Sequence, residues 1–413
     1  MPLIRAFPGL RPAEGRAADV AAPPYDVMNE AEARQMAEGR AWSFLHISRP
    51  EIDLPQGTDP YAPEVYQKAA ENLARMQQDG VLIRDTKPCY YVYRLTMGDH
   101  VQTGLAAAAS VAAYDQNRIK KHEFTRPAKE DDRVRQVDAL NAQTGPVFLV
   151  YPSAPEVDRI LSQVSQAKPA MDVTAADQVR HEIWVLDDDA TVARLTELFD
   201  AMGALYVADG HHRSAAGSRV GASRKEANPN HSGDESYNYF LSVIFPHNQM
   251  QILDYNRVVK DLNGLDKEAF LARLESDFQV EPSEQPVKPA QPAEFGMYLD
   301  KQWYRLTLNP DKVPTDDPVA RLDVSLLANH LIEPVLGISD PRRDARIDFV
   351  GGIRGLAGLE KRVDSGEMAV AFSLYPTRME DLMAVADADE VMPPKSTWFE
   401  PKLADGLVSH VLD

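Results

Sequence analysis

Apolar and polar positions follow two periods along this chain. Val65, Ala69, Leu73 and Met76 recur at helical spacing between Pro63 and Gln78, and Gly80 follows as a stop. KEDDRVRQVDAL reads as a capped helix with acids in its first turn and Val134, Val137 and Leu140 on one face. Thr191 to Met202 and LDKEAFLARLESDF are further amphipathic helices, and LDVSLLANHLIEPVLG is an apolar-faced helix ended by Pro334 and Gly337. Runs rich in aromatic and β-branched residues predict strands instead: Cys89 to Thr96 paired with Thr103 to Tyr114, then TGPVFLVYP, HEIWVLD, ALYVADG, YFLSVIFP and MAVAFSLYP. FGMYLDKQWYRLTL predicts a hairpin turning at Asp300 and Lys301, and a helix is expected over Arg378 to Ala386. Ala222 to Glu235 is polar and reads as a mobile loop, PSEQPVKPAQPAEF reads as a proline-rich connection, and APPYDV, with two fixed φ angles, reads as a rigid corner. There is no internal repeat and no heptad array.

These elements predict an α+β fold in three sections: 1–114, a mixed N-terminal α/β section; 115–250, which holds the densest polar motifs; and 251–413, a C-terminal α/β section. A chain of 413 residues is too long for one simple core. The net charge of −19 disfavours a broad basic face for nucleic acid or an anionic membrane, although a few local cations and backbone donors can still hold a small anion. No apolar run approaches a membrane span, and MPLIRAFPGLRP lacks a signal-peptide core. The single cysteine, Cys89, rules out an internal disulfide framework. A cytoplasmic location is the expectation.

Three polar clusters carry candidate chemistry. In VADGHHRSAA a strand ends at Asp209 and Gly210 and a helix begins at once. Free N–H groups at a helix start attract anions, and Gly210 allows a phosphate close to the backbone. His211, His212 and Arg213 add donors in diverging directions, and Asp209 can cap the helix, orient a histidine or bind magnesium. An Asp-Gly turn with surface histidines is the plain alternative, and a zinc site is another. In IKKHEFTRP, Glu123 sits beside His122 after two lysines, so its carboxylate stays ionised yet can accept a hydroxyl proton; a solvated charge run is the alternative. In MPPKSTWFEPKLADG, prolines restrain a segment that offers Lys395, Ser396, Thr397 and Lys402 to phosphate oxygens; the alternative is an exposed turn. Walker A and GxGxxG patterns do not occur.

In this order, KKHE, VADGHHR and PPKST resemble the Lys-Pro-His-Glu, Val-Asp-Gly-His-His-Arg and Pro-Lys-Thr-Thr segments of free L-serine kinases of the ParB/sulfiredoxin-like superfamily. The stretch SGEMAVAFSLYPTRMEDLMAVADADEVMPPKST is similar to their C-terminal part. Lys121 stands where the kinases have proline, Ser396 where they have threonine, and about a hundred N-terminal residues are extra. FPGLRP, APPYDV, KKHEFT with DDR, DGHHR, LDVSLL and PPKSTWFEPKL together resemble a widespread bacterial family long labelled as a domain of unknown function.

The kinase resemblance implies a ParB/sulfiredoxin-like phosphate-binding core over 115–250 and a C-terminal section, carrying the PPKST loop, that closes over it. It implies phosphoryl transfer from ATP or ADP, with Mg2+, to the hydroxyl of free L-serine. Glu123 would accept the hydroxyl proton. Asp209 would orient the acceptor or bind the metal. Gly210 and His211 would cradle phosphates, and His212 and Arg213 would stabilise the transferring charge. Lys395, Ser396 and Thr397 would grip the phosphate, while His122, Arg133 and Lys402 would bind substrate. The implied partners are the nucleotide and serine, without nucleic acid or membrane; a homodimer is left open. Two rivals stand beside this reading: a non-catalytic, nucleotide-responsive ParB-like module, and a metal-dependent hydrolase using His122, Glu123, Asp209, His211 and His212. A sulfiredoxin-type repair role is disfavoured, since no cysteine lies near DGHHR.

Overall fold

The structure, a computed structural model, describes residues 2–413. Helices and strands are mixed throughout, and the fold is α+β. The described residues form two compact units, one of residues 2–250 with 401–413 and one of 251–400.

The first unit is built on a nine-stranded sheet. Its strands are β1 (Ile4–Arg5), β2 (Tyr90–Met97), β3 (His100–Ser110), β4 (Ile119–Lys120), β5 (Val147–Tyr151), β6 (Met171–Thr174), β7 (Arg180–Leu186), β8 (Leu205–Asp209) and β9 (Tyr239–Pro246). The order is β4-β8-β5-β9-β3-β2-β7-β6, with β1 on the end of β3. The pairs β4–β8 and β5–β9 are parallel and the rest antiparallel. The expected division at residue 114 therefore does not appear: strands from both sides of it share this sheet, and burial of a common apolar core joins them.

Helices α1 (Pro63–Gln78), α2 (Pro127–Leu140), α3 (Asp189–Asp200) and α4 (His211–Ala227) belong to this unit. Val65, Ala69, Leu73 and Met76 of α1 are buried, as their spacing predicts. In α2 the buried positions are instead Asp132, Gln136 and Leu140. Here hydrogen bonding overrides apolar pattern: Asp132 accepts from Tyr66 Oη at 2.8 Å, and Gln136 donates to the Ile47 carbonyl at 2.8 Å. Helix α4 runs six residues into the segment expected to be a loop. Arg224 near its end bonds Asn141 Oδ1 at 2.5 Å and the Leu412 carbonyl at 3.1 Å, and these contacts extend the helix beyond its local preference. Most of the buried positions of α4 are small residues, Ser214, Ala216, Gly217 and Gly221. A Cβ at Gly217 would lie 2.9 Å from Phe240 and one at Gly221 would lie 2.8 Å from the Tyr237 carbonyl. Glycine is what lets α4 rest closely against the sheet.

The C-terminal segment 401–413 completes this unit. His410 and Val411 pair with Gln143 and Ala142, Ser409 bridges Leu10, and Asp405 bridges Ala22.

The second unit carries a six-stranded antiparallel sheet of β10 (Tyr255–Val259), β11 (Phe278–Ser283), β12 (Glu294–Leu299), β13 (Gln302–Leu308), β14 (Ile347–Gly351) and β15 (Val370–Leu374), in the order β11-β13-β12-β15-β10-β14. Asp300 and Lys301, at φ 48° and 61°, make the β12–β13 turn. LDKEAFLARLESDF is helical only over α5 (Lys267–Leu274), because Phe278 already pairs with Leu308 in β11. LDVSLLANHLI begins as an α-helix at Asp323–Leu327 and widens to a π-helical turn over Ala328–Ile332. No helix of the described residues is long and apolar enough to cross a membrane.

Candidate active site

Two parallel strands bring the first two polar clusters together. Ile119 and Lys120 of β4 pair with Leu205 and Tyr206 of β8, so the residues after β4 run beside the end of β8 and the start of α4. Gly210 adopts φ +95°, a left-handed conformation that turns β8 directly into α4. No side chain caps this helix start. Its first amides have no intrahelical acceptor and point out of the N-terminus.

His122 and His211 meet there, both buried, with ring centroids 4.5 Å apart and planes perpendicular. The His122 ring bonds the Val207 backbone, while its Nδ1 has no hydrogen-bond partner among the described residues. Burial holds both rings neutral: His122 is lowered to about 4, and His211 falls well below its ordinary value, with His122 adding to the effect. Glu123 Oε2 lies 3.7 Å from His211 Nδ1, and its side chain is about half exposed. His211 Nε2 faces the His122 amide at 3.5 Å, which favours the proton on Nδ1, the nitrogen turned to Glu123. His212 Nε2 accepts from the Arg126 amide at 3.0 Å. One nitrogen from each of His122 and His211 and one Glu123 oxygen lie within 4.8 Å of one another.

Asp209 gathers the cations. Its Oδ1 accepts from the Gly210 amide at 2.8 Å; Oδ2 lies 3.3 Å from Lys402 Nζ and 3.8 Å from Arg213 Nη2. Burial pushes this carboxyl upward, but Lys402 and Arg213 outweigh it and hold the pKa far below the carboxylate range. Asp209 already faces Lys402 at 3.3 Å and Arg213 at 3.8 Å, and the like charge of a magnesium ion would compete with both, so these residues do not suit a resident Mg2+. The second donor set, two imidazoles and one carboxylate, suits nitrogen-seeking ions rather than magnesium. Arg213 is anchored by donation to the Pro146 carbonyl, with Asp26 and Asp209 countering the burial of its charge.

Arg133 donates to Asp132 at 2.7 and 3.0 Å, and its guanidinium lies 3.9 Å from the Tyr25 ring centre. Sequence reasoning missed Tyr25, Asp26 and Asp405 around these arginines. APPYDV reads as a corner, yet it sets Tyr25 and Asp26 beside Arg133 and Arg213. Asp405 is buried and pushed up to about 7, with Arg213 opposing the shift. The one signal was LADGL, which repeats the Ala-Asp-Gly of VADGH and, like it, turns through a positive φ, here at Gly406.

Thus Glu123, His122, Asp209, Gly210, His211, His212, Arg213, Arg133 and Lys402 belong to the first unit. Lys395, Ser396 and Thr397 belong to the second. There Lys395 has φ +61° and its Nζ lies 5.5 Å from the Tyr255 ring centre, while Ser396 is buried and donates to the Pro393 carbonyl at 2.6 Å.

Residues 4–325 match the family described as Protein of unknown function (DUF1015). The chain belongs to this family. Both KKHE and VADGHHR lie within the stretch matched to DUF1015, and the segment from Lys395 to Lys402 lies beyond it. No curated protein matches the chain. Solved structures similar to it include a conserved hypothetical protein from Pyrococcus furiosus (14% identity, 73% of this chain and 93% of that one, TM-score 0.35). Another is a free serine kinase in complex with AMP (11%, 73% and 92%, TM-score 0.34). A third is SbnI with a C-terminal truncation from Staphylococcus aureus (11%, 73% and 85%, TM-score 0.38).

Proposed function

We propose that this protein is a small-molecule kinase that transfers a phosphoryl group from ATP or ADP to the hydroxyl of free L-serine, giving O-phosphoserine. The observation that carries the reading is the carboxylate of Glu123, set 3.7 Å from a buried neutral imidazole at the uncapped start of α4. The order of KKHE, VADGHHR and PPKST along the chain supports serine as the acceptor.

In this mechanism the serine hydroxyl attacks the terminal phosphorus. A new O–P bond forms as the bond to the nucleotide's leaving oxygen breaks, and the hydroxyl proton passes to Glu123. His211 Nδ1–H orients the carboxylate. The first amides of α4 and the Gly210 backbone hold donor phosphates, and His212 and Arg213 stabilise charge on the transferring group. Asp209, paired with Lys402 and Arg213, fixes both cations, while Arg133 and Lys402 serve the carboxylate of serine. Lys395, Ser396 and Thr397 are the phosphate-binding candidates of the second unit. Magnesium would arrive with the nucleotide as the counter-ion of its phosphates.

The test is phosphoserine formation by the purified protein with serine, Mg2+ and ATP or ADP. Glu123→Gln is expected to lower the rate by about 10²–10⁴ with folding intact, since the side chain is half exposed. A protein that makes no phosphoserine with either nucleotide overturns the reading. Nucleotide binding without turnover, unchanged in Glu123→Gln, would point to a binding module.

A further inference from the structure

We propose that His122, Glu123 and His211 form a binding site for a divalent transition-metal ion of the zinc class, and that its occupancy withdraws Glu123 from proton transfer. The first half stands on the geometry alone; the second rests on the kinase reading.

Three donors lie within 4.8 Å of one another, two of them on imidazoles. Metal–donor bonds of about 2.0–2.2 Å in a tetrahedral shell set donors about 3.3–3.6 Å apart. The 3.7 Å between Glu123 Oε2 and His211 Nδ1 is close to that spacing already. An independent observation also points to a ligand. His122 is only 2% exposed, and its Nδ1 has no hydrogen-bond partner among the described residues. Because the ring is already held by the Val207 backbone, Nδ1 is left with its lone pair. Buried nitrogens of this kind are nearly always satisfied, and a cation would satisfy this one.

The surrounding structure suits a metal site. The hydrogen bond from the His122 ring to the Val207 backbone fixes ring orientation, as partners of metal-binding histidines commonly do. Parallel pairing of β4 with β8 holds the segments carrying the ligands in register. The half-exposed Glu123 gives an ion a route in from solvent. Ligation through His211 Nδ1 would move that ring's proton to Nε2, giving up only the 3.5 Å contact with the His122 amide. Three protein donors leave a further position for water, and two nitrogens with one oxygen favour Zn2+ or Co2+ over Mg2+ or Ca2+. A carboxylate bound to such an ion is a poor acceptor for a serine proton, so a filled site and an active base exclude each other.

The experiment is titration of the metal-stripped full chain with Co2+. A one-to-one complex with visible ligand-field absorption is expected, with Zn2+ displacing the cobalt and a hundredfold excess of Mg2+ leaving it in place. Glu123→Gln should weaken binding by about 10–100-fold. His211→Gln should do the same, with circular dichroism verifying the fold; Glu123→Gln keeps the test decisive should the buried variant fail to fold. Absence of a one-to-one complex, or binding unchanged in folded Glu123→Gln, overturns the site. Because cobalt absorption does not depend on turnover, a spectrum without phosphoserine production leaves the site standing and defeats the kinase reading. Phosphoserine production without a cobalt complex does the reverse. One equivalent of Zn2+ should lower the phosphoserine rate at least tenfold, and full activity of the zinc-loaded protein overturns the inhibitory half.

Discussion

Gly210 concentrates the demands placed on this site. Its φ of +95° is a conformation that an L side chain adopts at a cost of roughly 1–2 kcal/mol. A Cβ there would also stand 3.1 Å from Arg213 Nε. Gly210→Ala is therefore expected to lower stability by about 1–2 kcal/mol and to push Arg213 off the Pro146 carbonyl. Chemical denaturation should show the first effect and a tenfold or greater loss of nucleotide affinity the second; an unchanged affinity would separate Gly210 from phosphate binding. Asp209, His211, His212 and Arg213 were legible as a group because a strand ending in Asp-Gly before a helix has few other uses for so many polar groups. Glu123 was legible only as a weak signal, since a carboxylate beside two lysines looks like any solvated run. Lys402 reads in the sequence as a neighbour of Lys395. The structure gives it to the first unit instead, where it pairs with Asp209, and no local pattern encodes a contact between residues 193 positions apart.

The C-terminal segment makes the same point for whole elements. Residues 401–413 are too short and irregular to announce a structural role, yet they close the first unit. Leu403, Leu407, Val408 and Leu412 are all buried there, and His410 and Val411 add a strand pair. At roughly 1.5–3 kcal/mol for each large apolar side chain, four such residues approach the whole net stability of a domain, roughly 5–15 kcal/mol. Deleting 401–413 should abolish cooperative urea unfolding of the first unit, seen as loss of its near-ultraviolet signal; a cooperative transition at unchanged midpoint would mean the segment is dispensable. Helix α2 shows the converse. Its existence was plain from its apolar period, but its buried face was not, because Asp132 and Gln136 are buried by partners on other elements.

At the scale of the whole molecule, buried titratable groups set opposing pH dependences. His181 and His410 are lowered to about 4 by burial, from an ordinary 6.5. Both stay neutral in the fold, so their contribution is complete above pH 6.5 and is lost as pH falls toward 4. His122 works in the same sense, while His46, raised by its bond to Asp53, works against them. Asp323 in the second unit and Asp405 in the first are raised by burial to about 7, from an ordinary 3.8. Each loses stability as pH rises from about 4 to 7, because the unfolded chain ionises first. His410→Gln should thus flatten the gain in stability between pH 5 and 6.5, by up to about 2 kcal/mol. Asp323→Asn should remove a loss of up to about 2–3 kcal/mol between pH 5 and 7. Urea midpoints of the two variants should diverge from the parent in opposite senses; parallel profiles would show that burial does not control these groups.

By itself the sequence determined the types of many elements, the α+β class, the strand-to-helix junction at Asp209–Gly210 and the residue types available for chemistry. Side-chain periodicity, glycine freedom and helix polarity act within a few residues, and a single chain displays them openly. Tertiary structure decided which of those residues meet. Pairing of β4 with β8 carried Glu123 and His122 to His211, and the return of the C-terminal segment brought Lys402 to Asp209. Both depend on long-range burial and hydrogen bonding, whose partners are chosen only when the whole core closes.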